Sequence, residues 1–417
     1  MTPVDGAPTT SLLDRVRASA WSQMALYALP SYIVSRLCVA AGAAVVAAEL
    51  RVDASIAAET GGVPDVHGAD TAGSALKPMI NVFTSWDGRW YLDVVRNGYP
   101  EHVPQNITYF QEEARAAFFP MFPIIGRYFE RVIPGGDTFA VLLLNLIVGF
   151  IAVVTVGILA SEVYGERVGR TSAVLMALFP GSFVFSFAYS EAIMIALAAA
   201  TLLMLHYKEW SAAGVFAALC TASRPNGVAI VLACLVAAWY AWRQDKDWRA
   251  FTAVLLAPLG FIAFQLYVGV KADETFVWFR VQSEAWGEGA SFGYTALSRT
   301  FGAFANPLTS PTDSITAISV AATVLLVWFA WKAKLPRPMA AYSAMVLAMM
   351  LLPATVTARP RFLFTAFPLL IGAAWWFEHH REHNPRRHDD AWALALVSCG
   401  AGLATLTGLY GVYGAIP

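Results

Sequence analysis

The sequence predicts an all-α polytopic membrane protein, and three observations carry that expectation. Its 417 residues are 58% hydrophobic and only 14% charged, against roughly 45–50% and about 25% in soluble domains. Eleven apolar stretches approach the length that a helix needs to cross a bilayer, roughly 17–25 residues. Lys and Arg in the short connections gather on alternate turns of the chain, which is how cytoplasmic loops are marked.

The stretches lie near 24–48, 138–160, 171–188, 191–207, 211–223, 225–242, 250–270, 312–331, 339–356, 362–377 and 391–413. The first is too long for a signal-peptide core of roughly 7–15 residues and is expected to be a retained anchor. It follows an expected cytoplasmic tail, residues 1–23, in which Met1 to Ala20 read as a short disordered stretch with an amphipathic start. Residues 24–413 then form one transmembrane domain. The pair at 211–242 is short and broken at Ser223-Arg224-Pro225-Asn226-Gly227. There Pro225 removes a donor and Gly227 loosens the backbone.

With the N-terminus inside, the cytoplasmic connections receive Arg15, Arg17, Arg167, Arg170, Lys208, Arg243, Lys246, Arg249, Lys332, Lys334, Arg337, Arg381, Arg386 and Arg387. The short outer connections keep only Arg224, Arg359 and Arg361, and the C-terminus ends outside. Both long loops, 49–137 and 271–311, then face outward. A multi-pass protein of the cell membrane with an extracytoplasmic site is expected.

A net charge of −1 leaves no clustered basic surface for nucleic acid. Cys38, Cys220, Cys234 and Cys399 are scattered through apolar segments without CxxC spacing and read as small core residues. His379, His380 and His383 have an i, i+4 relation but sit in a charged run that reads as a solvated cytoplasmic loop. No strong metal cluster is present, and no obligatory metal or other cofactor is expected.

The most informative segment is Ser85-Trp86-Asp87-Gly88-Arg89-Trp90-Tyr91-Leu92, in the first outer loop. Behind Asp87, the polar residues Arg89, Asp93, Arg96 and Asn97 recur at helical spacing, with Trp90, Tyr91, Leu92, Val94 and Val95 opposite. That pattern predicts an amphipathic helix along the membrane surface, its aromatic side among the headgroups and Gly98 as its left-handed cap. A second such element is expected from Tyr109 toward Arg131, broken at Pro120 and Pro123. Segment 52–76 is Ala/Gly/Asp-rich and expected to be mobile. Asn106-Ile107-Thr108 is a glycosylation acceptor pattern on the outer side.

Asp87 has two readings. It suits the N-cap of the following helix, and it is also a lone carboxylate between Trp86 and Trp90 where a lipid-bound substrate would arrive. The second is favoured. Asp93, one turn from Arg89 and Arg96, is explained by a surface ion pair. Glu191, after Tyr189-Ser190 at a span boundary, is either a first-turn acid or a functional group with a partner. Arg224 with Asn226, and Arg359 with Arg361, are either snorkelling anchors or forks for phosphate oxygens. Two such sites on one outer face favour phosphate. In the second outer loop Gln282 and Trp286 fit an interfacial belt and a sugar-binding wall equally well. Arg36, inside the first span, requires a partner that the sequence does not identify.

Trp86-Asp87 with Tyr91, Asn97-Gly98-Tyr99, Ala117-Phe118-Phe119-Pro120-Met121-Phe122-Pro123, Tyr189-Ser190-Glu191 and Ser223-Arg224-Pro225-Asn226-Gly227 run in the order and spacing of a known family. The chain resembles the GT-C integral-membrane mannosyltransferases, specifically the GPI mannosyltransferase 2 (phosphatidylinositol-glycan class V) family, in a bacterial version. The likeness covers about the first 230 residues and thins afterwards to Gln282, Trp286 and Arg359-Pro360-Arg361. A C-terminal histidine pair of the eukaryotic relatives is absent from the corresponding outer region, which counts against a GPI acceptor. The resemblance implies a GT-C-like bundle of about 11 transmembrane helices, with amphipathic surface helices in the first outer loop. It also implies a polyprenyl- or dolichyl-phosphate mannose donor and inversion at the anomeric carbon. The expected topology agrees, because nucleotide sugars stay in the cytoplasm and an outward-facing transferase needs a lipid-carried donor.

These expectations combine into an inverting mannosyltransferase that passes mannose from polyprenyl-phosphate mannose to a glycolipid or glycan acceptor. Its partners would be membrane lipids, the lipid-linked donor and that acceptor, with no nucleic acid. Asp87 would accept the acceptor's proton. Arg359, Arg361 and Arg224 would bind the departing phosphate. Trp86, Trp90, Tyr91, Tyr189, Glu191, Asn226, Gln282 and Trp286 would surround the substrates. A glycosidase needs a second carboxylate to protonate its leaving oxygen, but phosphate already leaves well. The alternative is a lipid-sugar flippase or secondary transporter, for which ionisable groups at the bilayer midplane and repeated broken helices are expected.

Overall fold

The computed structural model describes residues 19–60, 76–355, 357–383 and 385–412. Most of the expected tail and the larger part of segment 52–76 lie outside these residues. Among the described residues the chain is helical, with one isolated bridge between Ala290 and Pro353. The chain is a multi-pass membrane protein. Among the described residues six helical stretches are long and apolar enough to cross a membrane, or seven if a bent pair counts as one.

Among the described residues each of the eleven apolar stretches contains helix, but they divide into three kinds. The six long ones are Ala20–Glu49 within α1 (Ala20–Thr60), α5 (Gly136–Tyr164), Pro225–Asp245, Trp248–Lys271, α14 (Pro311–Ala333) and α18 (Pro385–Gly411). The bent pair is α6 (Glu166–Leu178) with the 3-10 turn Pro180–Ser186, at 71°. The remaining stretches are short: α7 (Glu191–His206), α8 (Trp210–Thr221), α15 (Arg337–Leu351), and α16 (Pro360–Thr365) followed by α17 (Pro368–His383). At a rise of 1.5 Å per residue, α8 covers only about 18 Å. The hydropathy pattern marks these helices as buried in apolar surroundings without fixing whether each spans alone.

The break at Phe179 answers what Arg36 requires. Its Nη1 donates to Ser182 O and Ser186 Oγ, both at 2.9 Å, and its Nη2 donates to Ser182 Oγ at 2.9 Å. Asn145 of α5 donates to Val184 O and Phe187 O from the other side. Backbone carbonyls at the bend are thus met by a half-buried arginine and a buried asparagine, as apolar surroundings demand.

The first long loop folds as α2 (Leu76–Phe83), α3 (Asp87–Asn97), a 3-10 turn Glu112–Ala117 and α4 (Met121–Glu130). Helix α3 ends where expected, and Gly98, at φ 72°, returns its N–H to Val94 O. The aromatic side does not meet headgroups. Trp90, Tyr91, Leu92, Val94 and Val95 are buried in a second core with Phe118, Phe122, Trp278 and Val281. Periodicity reports which face avoids water, not what covers it. Asp93 makes its ion pair with Arg115, at 3.4 Å, while Arg96 takes Asp137. The charged histidine run continues α17 instead of forming a loop; His379 stacks on Trp375 and His380 on Trp376.

The remaining elements are α9 (Ala229–Asp245), α10 (Phe251–Leu256), α11 (Leu259–Lys271), α12 (Val277–Trp286) and α13 (Tyr294–Ala305). Helices α1, α5, α6, α14, α17 and α18 pack around the larger core. The second core joins α3, α4, α11 and α12. The candidate site lies where the two meet.

Candidate functional site

Asp87 is delivered by a strained turn. Trp86, with φ 56° and ψ −119°, takes a conformation that large side chains avoid. The turn is held at both ends. Trp86 Nε1 donates to Tyr410 O at 3.1 Å, and Ala188 N donates to Phe83 O at 2.9 Å. Trp86, not Asp87, occupies the N-cap position of α3. The Asp87 carboxylate instead accepts a hydrogen bond from Arg361 Nη1 at 2.7 Å. Strain of roughly 1–3 kcal/mol at such a residue persists where surrounding contacts over-determine it.

Arg361 reaches this point because Arg359 is extended (φ −136°, ψ 149°) and Pro360 opens α16 immediately afterwards. The turn Pro180–Ser186 presses closely on Pro360: a Cβ on Gly181 would lie 2.4 Å from Pro360 O. Only glycine permits that approach. Arg224 leaves the chain at the break between α8 and the 3-10 turn Pro225–Val228, again extended. Its Nη1 lies 2.9 Å from Glu191 Oε2 and 3.3 Å from Ser190 Oγ. The Glu191 contact is ionic and lacks the direction of a formed hydrogen bond. Glu191 also stands 3.9 Å from Arg361.

Four charged side chains from four separate segments therefore form one cluster. Tyr91 joins it through Ser190, the two hydroxyl oxygens being 2.6 Å apart. Burial pushes the Tyr91 phenol up to about 12, so it is a neutral hydroxyl at physiological pH.

Above this cluster opens a cavity of about 440 Å³. Its charged end carries Asp87, Tyr91, Arg224, Asn226 and Arg361. A second wall is aromatic and amide-bearing, with Phe118, Trp278, Gln282 and Trp286. The third is apolar, with Val346, Met349, Met350, Leu352 and Phe362. The aromatic wall is braced from behind: Trp90 stacks on Phe118 and meets Trp286 edge-on, and Trp278 Nε1 donates to Ala117 O.

Of the residues singled out from sequence, Asp87, Tyr91, Arg224, Asn226, Gln282, Trp286 and Arg361 line this cavity. Trp86, Trp90, Tyr189, Glu191 and Arg359 do not line it. Trp86 fixes the turn and Trp90 backs the aromatic wall. Tyr189 is fully buried beneath Arg361, whose guanidinium lies 5.4 Å from its ring. Glu191 is fully buried between the two arginines. Arg359 points elsewhere and donates to Thr316 Oγ1 at 2.6 Å. Sequence reasoning passed over Trp278, Glu288 and the α15 end, all on the cavity wall. Trp278 lies in the aromatic run Phe276-Val277-Trp278-Phe279, which reads from sequence as a membrane-interface belt. Glu288 follows Gly287 with no local pattern that marks it.

No protein-family model and no curated protein sequence matches the chain. Among solved structures it is similar to ArnT from Cupriavidus metallidurans bound to undecaprenyl phosphate. That match has 12% identity over 81% of this chain and 75% of that one, with a TM-score of 0.44. It is also similar to the Archaeoglobus fulgidus oligosaccharyltransferase with zinc and sulfate, at 14% identity over 82% and 49%, TM-score 0.43. The archaeal oligosaccharyltransferase AglB from Archaeoglobus fulgidus, in complex with an inhibitory peptide and a dolichol-phosphate, gives 13% over 94% and 56%, TM-score 0.44. The chain spans about half the length of the oligosaccharyltransferase. Likeness at this level assigns no chemistry.

Proposed function

We propose that this protein is an inverting glycosyltransferase. It moves a sugar, mannose by the sequence resemblance, from a polyprenyl-phosphate carrier to a hydroxyl of a glycolipid or glycan acceptor on the extracytoplasmic face. The observation that carries this reading is the three-sided cavity. One carboxylate and two guanidiniums share its charged end, an aromatic and amide wall suits a sugar, and an apolar wall suits a lipid chain.

In this reading Asp87 accepts the acceptor's hydroxyl proton. The oxygen forms its bond to the anomeric carbon as the bond from that carbon to the phosphate oxygen breaks, and the electron pair leaves with the phosphate. Arg361 and Arg224 carry the departing charge, in a site dry enough for such contacts to be strong. Tyr91, Asn226 and Gln282 supply neutral hydrogen bonds, and Trp286 supplies a face. Attack in line from the opposite side inverts the centre. Glu191 and Tyr189 support the arginines from beneath, and Arg359 serves the packing of α14 rather than the phosphate.

The transport reading is less well supported. Asp87, Glu191, Arg224 and Arg361 all sit at helix beginnings or breaks, not in the middle of long spans. Transfer from synthetic polyprenyl-phosphate mannose, in nanodiscs with membrane glycolipid as acceptor, tests the assignment. Asp87→Asn should lower turnover by roughly 10²–10⁴-fold, the usual scale for a general base. Equal turnover in both proteins would remove Asp87 as the base.

A further inference from the structure

Both arginines that line the cavity are already engaged. Arg361 Nη1 holds Asp87 at 2.7 Å and stands 3.9 Å from Glu191, while Arg224 stands 2.9 Å from Glu191. Two cations and two anions sum to zero. A carboxylate oxygen that already accepts from a guanidinium is a poorer acceptor for the proton of an approaching hydroxyl. The proposed base and the proposed phosphate ligand therefore hold one another.

The two carboxylates are not equally free to give way. The Glu191 side chain is 0% exposed and cannot leave its place, whereas that of Asp87 is 16% exposed and borders the cavity. An anion entering the charged end adds one negative charge to a balanced cluster. It competes with the carboxylates for the two guanidiniums, and Asp87 is the partner with room to move. Glu191 keeps the two guanidiniums side by side throughout, which makes it a positioning residue.

We propose that Asp87 is masked by Arg361 until the phosphate of the lipid-linked donor takes that guanidinium, so that donor binding unmasks the base and must precede deprotonation of the acceptor. The inference rests on the glycosyltransferase reading above and adds an order to it. The unmasking is an exchange of ionic partners in which no covalent bond changes: phosphate oxygens replace Asp87 Oδ2 at Arg361, and the freed carboxylate turns toward the cavity. Such an arrangement protects the carrier-linked sugar, because no activated hydroxyl or water is generated before the leaving group is held.

Competition between Asp87 and phosphate has a consequence opposite to that of an ordinary site mutation. Asp87→Asn, inactive in transfer, should bind farnesyl phosphate more tightly than wild type. The expected gain is about tenfold, the worth of one charge-assisted hydrogen bond released from competition. Calorimetric titration of full-length protein in nanodiscs measures it. Asp87→Ser, which also removes the charge, is titrated beside it in case the asparagine variant does not fold. Tighter binding in either charge-free variant supports the masking. Equal or weaker binding overturns the masking and leaves the glycosyltransferase reading intact. No binding by wild type or variants overturns both.

Discussion

Two ionic clusters in this molecule have the same ingredients and different construction. At the foot of α12, Arg280 is bound by Glu274 and Glu284, all within eleven positions of one another and with side chains 17–29% exposed. In the cavity floor, Asp87, Glu191, Arg224 and Arg361 come from segments spread over 275 positions, with side chains 0–16% exposed. The first is made by local chain geometry and remains in contact with solvent. The second exists only when the whole bundle is assembled, and each member depends on the others for its charge to be tolerated. A breach of each should therefore differ in size and in kind.

The largest effect is expected from Arg361→Ala. It removes the cation shared by Asp87 and Glu191 and leaves two carboxylates close together, a change worth roughly 3–5 kcal/mol where a buried pair is broken. Donor turnover should vanish, and the melting temperature in detergent should fall by several degrees. A variant that melts like wild type would show that the cavity floor is no more coupled than a surface pair. Arg359→Ala separates packing from chemistry two residues away. It should lower stability through the lost bond to Thr316 while the KM for donor stays within about twofold, the outcome for a group that touches no substrate. A tenfold rise in KM would return Arg359 to the phosphate site.

Arg280→Ala should have the smallest effect, about 0–1 kcal/mol as for partly solvated pairs. It also carries a pH signature. The hydrogen bond from Arg280 holds the Glu274 carboxyl below the ordinary glutamate value of 4.5. A carboxyl lowered in the folded state contributes stability above the unfolded value and loses it as pH falls through the folded one. Wild type and variant should therefore differ at neutral pH and converge as pH falls below about 4.5. A difference unchanged at low pH would mean that packing of the arginine stem, not its charge, is what matters.

The contrast also explains what the sequence disclosed. The helices were legible, since apolar run length survives any arrangement of the bundle. Asp87 was legible because its neighbours Trp86 and Trp90 are unusual beside a carboxylate in a polar loop. Its partner was not, because no local spacing connects Asp87 to Arg361, 274 positions away. Arg359 and Arg361 looked equivalent in sequence. They diverge because one precedes Pro360 in extended backbone and the other lies inside the first helical turn, so their side chains leave on different sides. Glu191 read equally as a cap or a functional group, and its burial beneath both arginines could not be foreseen from Tyr189-Ser190 alone.

Arg36 has a consequence for how the protein is made. Its acceptors, Ser182 and Ser186, lie about 150 positions downstream. When the first helix enters the membrane those acceptors do not yet exist, and a lone arginine at a helix centre costs about 2.5–3.5 kcal/mol on insertion scales. The nascent helix carries that cost until translation has passed the bend. Its final seating waits on a segment that emerges many seconds later at about 5–20 residues per second, which makes the insertion machinery, rather than the finished bundle, the first environment that this arginine must satisfy.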